Sequence, residues 1–446
     1  MTLSTALVKS TIVAALGGLL FGFDTAVIAG TTAALTKTFS LSPGSLGLTV
    51  AIALWGTIVG SLLAGIPGDR YGRRDSLRGL AVLYVISAFG CALAWNWSSL
   101  MVFRFIGGLG IGGSSVLGPM YIAEIAPARW RGRLVGFFQF NVVFGILLAY
   151  FSNYLIGQAH FGEAEWRWML GVAGAPALLF FVMLFVIPRS PRWLVQKNRV
   201  DEARQVLQSI GEEDVEGELG EIVASVDFQH LHGHESLFQW KYRLPIFLAV
   251  SVAMFNQLSG INAILYYLND IFARAGFSKV SGDVQAVIIG GTNLLFTMLA
   301  MSIIDRVGRK TLLLIGSVGC SASLAGVAYL FFAQTHQGLL VWLLVGFVAF
   351  FSFSQGAVIW VYISEVFPTP VRAKGQSLGT FTHWLLNAAI SWSFPIVAAT
   401  SRGAPFIFFA AMMALQFFVV LLFYPETKNL SLEEMQKRFK ISSPVS

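Results

Sequence analysis

The chain has 446 residues, of which 56 % are hydrophobic and only 12 % charged, with a formal net charge of +7. Ordinary soluble proteins carry about 25 % charged residues, so this composition excludes a water-soluble globular protein and points to a polytopic membrane protein. The positive balance is no sign of nucleic-acid binding by itself, because the placement of the charges decides what they mean.

Hydropathy divides the chain into twelve candidate spans, each near the roughly 20 apolar residues that cross a ~30 Å hydrocarbon core. They run about 10–31, 46–67, 77–95, 99–122, 134–157 and 168–188, then about 243–269, 284–304, 311–333, 338–363, 375–399 and 403–424. The spans are too long for barrel strands, and the chain holds 45 glycines. Closely packed helices are therefore the expected spanning elements.

The first span holds the most informative residue. Asp24 stands in the apolar run Leu20-Phe21-Gly22-Phe23-Asp24-Thr25-Ala26. A carboxylate at that depth costs at least ~2.5–3.5 kcal/mol on insertion scales, so it faces the protein interior and has a partner. Two readings stay open: a transport pathway, or a structural ion pair that joins helices. The run has no small-residue cleavage pattern, so it reads as a span and not as a cleavable signal.

The basic residues orient the spans. With both termini cytoplasmic, all 30 lysines and arginines fall on that side except Lys37, Arg167, Arg274, Lys279, Arg402 and the intraspan Arg104. That is the positive-inside pattern.

An internal repeat follows. Asp69-Arg70-Tyr71-Gly72-Arg73-Arg74 after span 2 returns as Asp305-Arg306-Val307-Gly308-Arg309-Lys310 after span 8. Glu124 and Arg131 bracket the loop between spans 4 and 5, as Glu365 and Arg372 bracket that between spans 10 and 11. Repeated halves with a site between them are a common transporter design. The expected fold is all-α, with six-helix halves at 1–188 and 241–427, a short helical linker at 189–240 and a tail at 428–446. Residues Asp69, Arg73, Glu124, Arg131, Asp305, Arg309, Glu365 and Arg372 are the candidate cytoplasmic latch; simple topology anchoring by positive charge is the other reading.

Several motifs fail their context tests. Gly108-Leu109-Gly110-Ile111-Gly112-Gly113 satisfies a dinucleotide pattern but lies in an apolar helix without a preceding strand, so helix packing is the expected role. His230-Leu231-His232-Gly233-His234 lacks acidic or cysteine partners at zinc spacing. No metal, cofactor or enzymatic nucleophile is expected. Cys91 and Cys320 both lie inside spans, which argues against a disulfide framework.

The polar residues within the second-half spans suit a neutral ligand. Asn256, Ser259, Asn262, Tyr266 and Asp270 recur at steps of one helix face, flanked by Gln257 and weakened at Gly260. Span 11 repeats the idea with Ser377, Thr380, Trp384, Asn387 and Ser391, beside His383. Gln139, Asn293 and Trp360 are further candidates. Amides both donate and accept, and aromatic faces stack on C–H surfaces, a pairing fit for a polyhydroxy ligand. Interhelical hydrogen bonding is the alternative for any one of them.

These residues together resemble the sugar porter family of the major facilitator superfamily. The likeness rests on Gly22-Phe23-Asp24, Asp69-Arg70-x-Gly72-Arg73-Arg74, Pro119-Met120-Tyr121-Ile122-Ala123-Glu124, Arg131-Gly132-Arg133, Ser190-Pro191-Arg192-Trp193-Leu194, Gln257-x-x-Gly260-Ile261-Asn262, Asp305-Arg306-x-Gly308-Arg309-Lys310 and Pro425-Glu426-Thr427-Lys428. Within that family it most resembles bacterial proton-coupled xylose and galactose symporters, with animal glucose facilitators more distant. The resemblance implies a hexose or pentose held by Gln139, Gln257, Asn262, Tyr266, Asn293, Gly356, Trp360, Trp384 and Asn387, with Phe21 lining the cavity. It implies Asp24 as the proton carrier, paired with Arg104. Asn256 and His383, where relatives often have glutamine, join the ligand set. Ser352, Ala357 and Arg189 also depart from the family pattern, at positions of glutamate, proline and glutamate.

The expected activity is proton–monosaccharide symport by alternating access in the plasma membrane, by a monomer with both termini cytoplasmic. The alternatives are a sugar facilitator of the same fold and a non-transporting sugar sensor.

Overall fold

The computed structural model describes residues 4–232, 235–368, 371–428, 434, 435 and 439, leaving aside the side chains at 128 and 227–232. Backbone in hydrocarbon has no water to bond, so each span must satisfy its own N–H and C=O groups. Every regular element among the described residues is accordingly helical. Eleven of these helical stretches are long and apolar enough to cross a membrane.

The chain begins with α1 (Thr5–Val27), α2 (Thr32–Phe39), α3 (Pro43–Leu63), α4 (Gly65–Tyr71), α5 (Arg73–Ala92), α6 (Trp97–Ile125), α7 (Ala128–Gln158), α8 (Glu165–Gly171) and α9 (Gly174–Met183). Three linker helices follow: α10 (Pro191–Gln196), α11 (Val200–Ile210) and α12 (Val215–His232). The remainder forms α13 (Arg243–Leu258), α14 (Ile261–Tyr266), α15 (Leu268–Arg274), α16 (Lys279–Val307), α17 (Arg309–Ala333), α18 (Leu340–Phe351), α19 (Ala357–Val366), α20 (Arg372–Thr400) and α21 (Ala404–Phe423).

The twelfth expected span is α20. Its 29 residues reach about 43 Å at the α-helical rise, so length is no obstacle. Thr380, Thr382, His383, Asn387 and Ser391 lower its apolarity instead. The polar face that suggested a ligand is what hides the helix from a hydropathy test.

Two compact units make up the chain: Met1–Val27 with Ile52–Gly233, and Ile28–Ala51 with His234–Ser446. In the first, α1 lies along α7 and α6 over a core that includes Tyr84, Ile111, Tyr121, Phe138 and Phe180. The glycines of α6 serve close packing. A Cβ on Gly108 would stand 2.0 Å from the Ala53 carbonyl oxygen of α3, and one on Gly112 2.1 Å from that of Thr57.

The linker helices share this core through Trp193, Leu194, Leu207 and Ile210. Ser190 caps α10, its Oγ accepting from the Trp193 amide at 3.3 Å, with Pro191 at the first helical position. Pro191 brings φ already near the helical value and lacks an N–H that would go unbonded. The Ser4 hydroxyl, just ahead of α1, donates to the Ile210 carbonyl at 2.6 Å. The histidine run at 230–234 lies outside the residues whose side chains are described.

In the second unit α17 lies along α21 and α18, and α13 along α20. Tyr362 and Tyr424 stack at 5.2 Å within its core. Two irregularities interrupt the helices here. Gly260 adopts φ +80° between α13 and α14, and a Cβ there would stand 2.2 Å from the Phe409 ring. Residues Ser352–Gly356 form a π-helical turn between α18 and α19, a feature frequent at functional sites. Cys91 and Cys320 are free and buried.

Candidate transport site

The break at Gly260 organises a polar cluster in the second unit. Because the helix stops at Leu258 and restarts at Ile261, the Asn262 amide turns back and donates to Gln257 Oε1 at 3.0 Å. Gln257 Nε2 donates to Asn256 Oδ1 at 2.9 Å and stands 3.2 Å from both ring nitrogens of His383. Asn256 in turn donates to the Gln355 carbonyl at 3.4 Å. The Gln257 amide is thereby oriented from both ends, with its oxygen toward Asn262 and its nitrogen toward His383.

Aromatic rings close over this cluster. His383 lies 5.0 Å from the Trp360 ring and 5.0 Å, edge-on, from Trp384. Asn256, Gln257, His383 and Trp384 are buried, while Asn262 and Gly356 are half-buried and Trp360 is 38 % exposed. Part of Trp360 therefore stays accessible beside His383.

Two further groups extend the cluster's chemistry. Asn387 Nδ2 donates to the Tyr266 hydroxyl at 3.2 Å, and the Ser391 hydroxyl donates to Asn387 Oδ1 at 3.1 Å. The Ser352 hydroxyl, in the π turn, donates to Asn293 Oδ1 at 2.8 Å. The structure thus brings Asn256, Gln257, Asn262 and His383 into one bonded network, with Trp360 and Trp384 against His383. Tyr266 bonds Asn387, and Ser352 bonds Asn293.

The expected five-residue face of span 7 does not run unbroken. Gly260 ends the helix, and Asp270 falls on α15. It lines a different cavity of about 380 Å³ with Tyr267, Arg274 and Phe394. Gln355 escaped the sequence reading. It is buried, with its side-chain oxygen unpartnered and its nitrogen 3.0 Å from Met413 Sδ. An isolated amide in the apolar run of span 10 was the available signal.

In the first unit Asp24 lies near the end of α1, with Phe21 half-buried one turn earlier and Gln139 half-buried on α7. Arg104 on α6 is 4 % exposed and acts electrostatically on Asp24; both act on Cys91, and Asp24 also on Tyr84.

The repeated signatures build matching ion clusters. Arg73 bonds Asp69 at 2.9 Å and Glu124 at 3.0 Å. Arg309 bonds Asp305 at 3.0 Å and Glu365 at 2.8 Å. Each arginine also donates to a carbonyl five residues back, Gly68 for Arg73 and Ile304 for Arg309. Every one of these bonds lies within its own unit. Arg131 reaches Glu218 of the linker at 3.9 Å, and Arg372 donates to the Phe367 carbonyl at 3.3 Å. Burial first, then the neighbouring Glu212, push the Glu218 carboxyl above its usual range. Arg189 donates to Asp75 at 2.9 Å and so makes an ion pair within the first unit.

Comparison with known proteins agrees with this architecture. The family model described as "Sugar (and other) transporter" matches residues 10–439. The arabinose-proton symporter of Bacillus subtilis is 39 % identical over 432 residues, 95 % of this chain and 93 % of that protein. The D-xylose-proton symporter of Escherichia coli K12 is 37 % identical over 469 residues, 96 % of this chain and 94 % of that one. The solved inward-open structure of the E. coli xylose transporter XylE superposes with a TM-score of 0.87 at 36 % identity, over 97 % of this chain and 99 % of that one.

Proposed function

This chain belongs to the sugar transporter family of the major facilitator superfamily, and from that premise we propose that it is a proton-coupled monosaccharide symporter working by alternating access. The family is one of multi-pass membrane transporters and not of enzymes. The observation that carries the coupling is the ionisable pair of the first unit: Asp24 inside an apolar helix, with the buried Arg104 within electrostatic reach. Burial opposes ionisation of the carboxyl and the guanidinium favours it. Loading a proton cancels the attraction to Arg104, so conformations that differ in this pair change their relative weights.

The sugar site is assigned to the amide–aromatic set of the second unit: Asn256, Gln257, Asn262, Tyr266, Asn293, Gly356, Trp360, His383, Trp384 and Asn387. Amides that already bond one another can exchange those bonds for sugar hydroxyls at little net cost. The exposed Trp360 face supplies a stacking platform. Gln257 is the hinge of the set, since it meets Asn256, Asn262 and His383 at once. Gln257→Ala is expected to raise KM for the transported sugar about tenfold, the worth of roughly 1.4 kcal/mol. An unchanged KM in a sugar-uptake assay removes Gln257 from the site.

The direct test of the reading is transport in sealed vesicles with an inward proton gradient and a panel of labelled pentoses and hexoses. Uphill accumulation of a monosaccharide supports symport; equilibration alone makes the protein a facilitator.

The two ion clusters are assigned to a latch of the cytoplasmic side. Glu365 accepts from both Arg309 and Thr427, so Glu365→Ala leaves a buried guanidinium short of its partner, a loss of ~3–5 kcal/mol for a buried pair. Arg309 keeps Asp305 at 3.0 Å and the Glu365 side chain is a quarter exposed, so the loss lies below that fully buried limit; the expected outcome is a shift toward the inward-open state, read by thiol labelling of engineered cysteines. Both native cysteines are buried, which keeps the background low. An unchanged labelling pattern rejects the latch. Cytoplasmic termini, a plasma-membrane location and action as a monomer complete the proposal.

A further inference from the structure

A second feature of the second unit lies outside the transport site. The span Trp240–Tyr266 is entered through Phe238-Gln239-Trp240-Lys241-Tyr242-Arg243, in which Phe238 is 77 % and Trp240 79 % exposed. Beside them runs a groove of about 560 Å³, lined among others by Trp240, Arg243, Phe247, Val250 and Met254.

The last four of these follow one another at steps of four, three and four, so they form a single stripe along α13. From Arg243 to Met254 the stripe covers about 16 Å of helix, close to the depth of one leaflet of a ~30 Å hydrocarbon core. A cation thus stands at the membrane boundary, and apolar side chains lead from it inward. The wall is held rigid from behind. Phe247 meets Phe423 of α21 edge-on at 5.7 Å, and Ser251 Oγ bonds the Tyr424 hydroxyl at 2.7 Å.

The charges select the occupant. Lys241 is already paired with Glu235, whose carboxyl is held below its usual range by that ammonium and by the Tyr242 hydroxyl. Lys374 donates to the Glu235 carbonyl. Arg243 lies over the Trp240 ring at 4.4 Å and has no carboxylate partner among the described residues. A guanidinium fixed on an indole presents its fork to phosphate in good geometry.

We propose that this groove binds one anionic phospholipid, its headgroup phosphate on Arg243 and an acyl chain along Phe247, Val250 and Met254. Trp240 and Phe238 then lie at headgroup level, where aromatic residues concentrate.

The test uses the purified full-length protein exchanged into equal mixtures of phosphatidylglycerol and phosphatidylcholine, with retained lipid identified by native mass spectrometry. The wild type is expected to retain one phosphatidylglycerol with about fivefold enrichment, the worth of one basic side chain at an anionic surface. Arg243→Gln should bring the enrichment to about one, and Lys241→Gln should leave it unchanged. Val250→Trp, which fills the groove, should abolish retention of either lipid. Thermal midpoints check that each variant is folded. No enrichment in the wild type, or full enrichment in Arg243→Gln, overturns the proposal, whatever the outcome of the transport assays.

Discussion

Asp24→Asn is expected to abolish uphill sugar accumulation while leaving sugar exchange intact. With one proton per sugar, each pH unit across the membrane can sustain about a tenfold concentration ratio. In the variant that ratio should fall to one at every imposed gradient. The amide keeps the shape of a protonated carboxyl but cannot release a proton, so the conformational cycle persists and its link to the gradient is lost. Arg104, 4 % exposed, would then lose the attraction of the Asp24 carboxylate, and weakening the compensation of a buried cation lowers stability. A reduced thermal midpoint is therefore expected alongside the transport defect. The double variant Asp24→Asn, Arg104→Gln should recover stability but not accumulation, a non-additivity that reports the pair directly. Accumulation by Asp24→Asn at the wild-type level would show that the proton travels elsewhere.

Gly22→Val is expected to give the largest loss of stability. A Cβ on Gly22 would stand 1.8 Å from the Val142 carbonyl oxygen and 3.0 Å from the Ile146 nitrogen. The contact is reciprocal, since a Cβ on Gly145 would stand 2.2 Å from the Leu19 carbonyl oxygen. Here α1 and α7 touch backbone to backbone, and no rotamer change can relieve the overlap. Overpacking against flexible side chains costs ~1–3 kcal/mol, and a backbone clash exceeds that range. The variant should lose folded protein in a detergent melt, and Gly145→Val should do the same. Gly79→Ala is the control: it lies within α5 with nothing inside 4 Å of the added carbon. It should be neutral, or stabilising by up to ~1 kcal/mol through helix propensity. A wild-type midpoint for Gly22→Val would deny the α1–α7 contact. Asp24 is two residues from Gly22, so this close approach also fixes the position of Asp24.

Much of the site could be read from residue type and spacing, and the reasons for the rest are specific. Asp24 and Arg104 stand out because charge in an apolar run is costly, whatever the fold. Gln257, Asn262 and Asn387 stand out likewise as amides in spans. Periodicity alone failed at Asp270, because it assumes a continuous helix and Gly260 turns the chain. Gln355 was overlooked because one amide in an apolar run gives no pattern. The pairing of Arg189 with Asp75 could not be anticipated, since the sequence shows a reversed charge but not its neighbour 114 residues away.

Membrane insertion, the number of spans and the twofold repeat follow from the linear order of residues, because burial in hydrocarbon acts on each segment separately. Family membership follows for the same reason, as its signatures are local strings at loop ends. Which amide bonds which and the pairing of each arginine within its own unit were decided by tertiary packing. Those features depend on close approach between residues far apart in the chain, where a tenth of a nanometre separates a hydrogen bond from none.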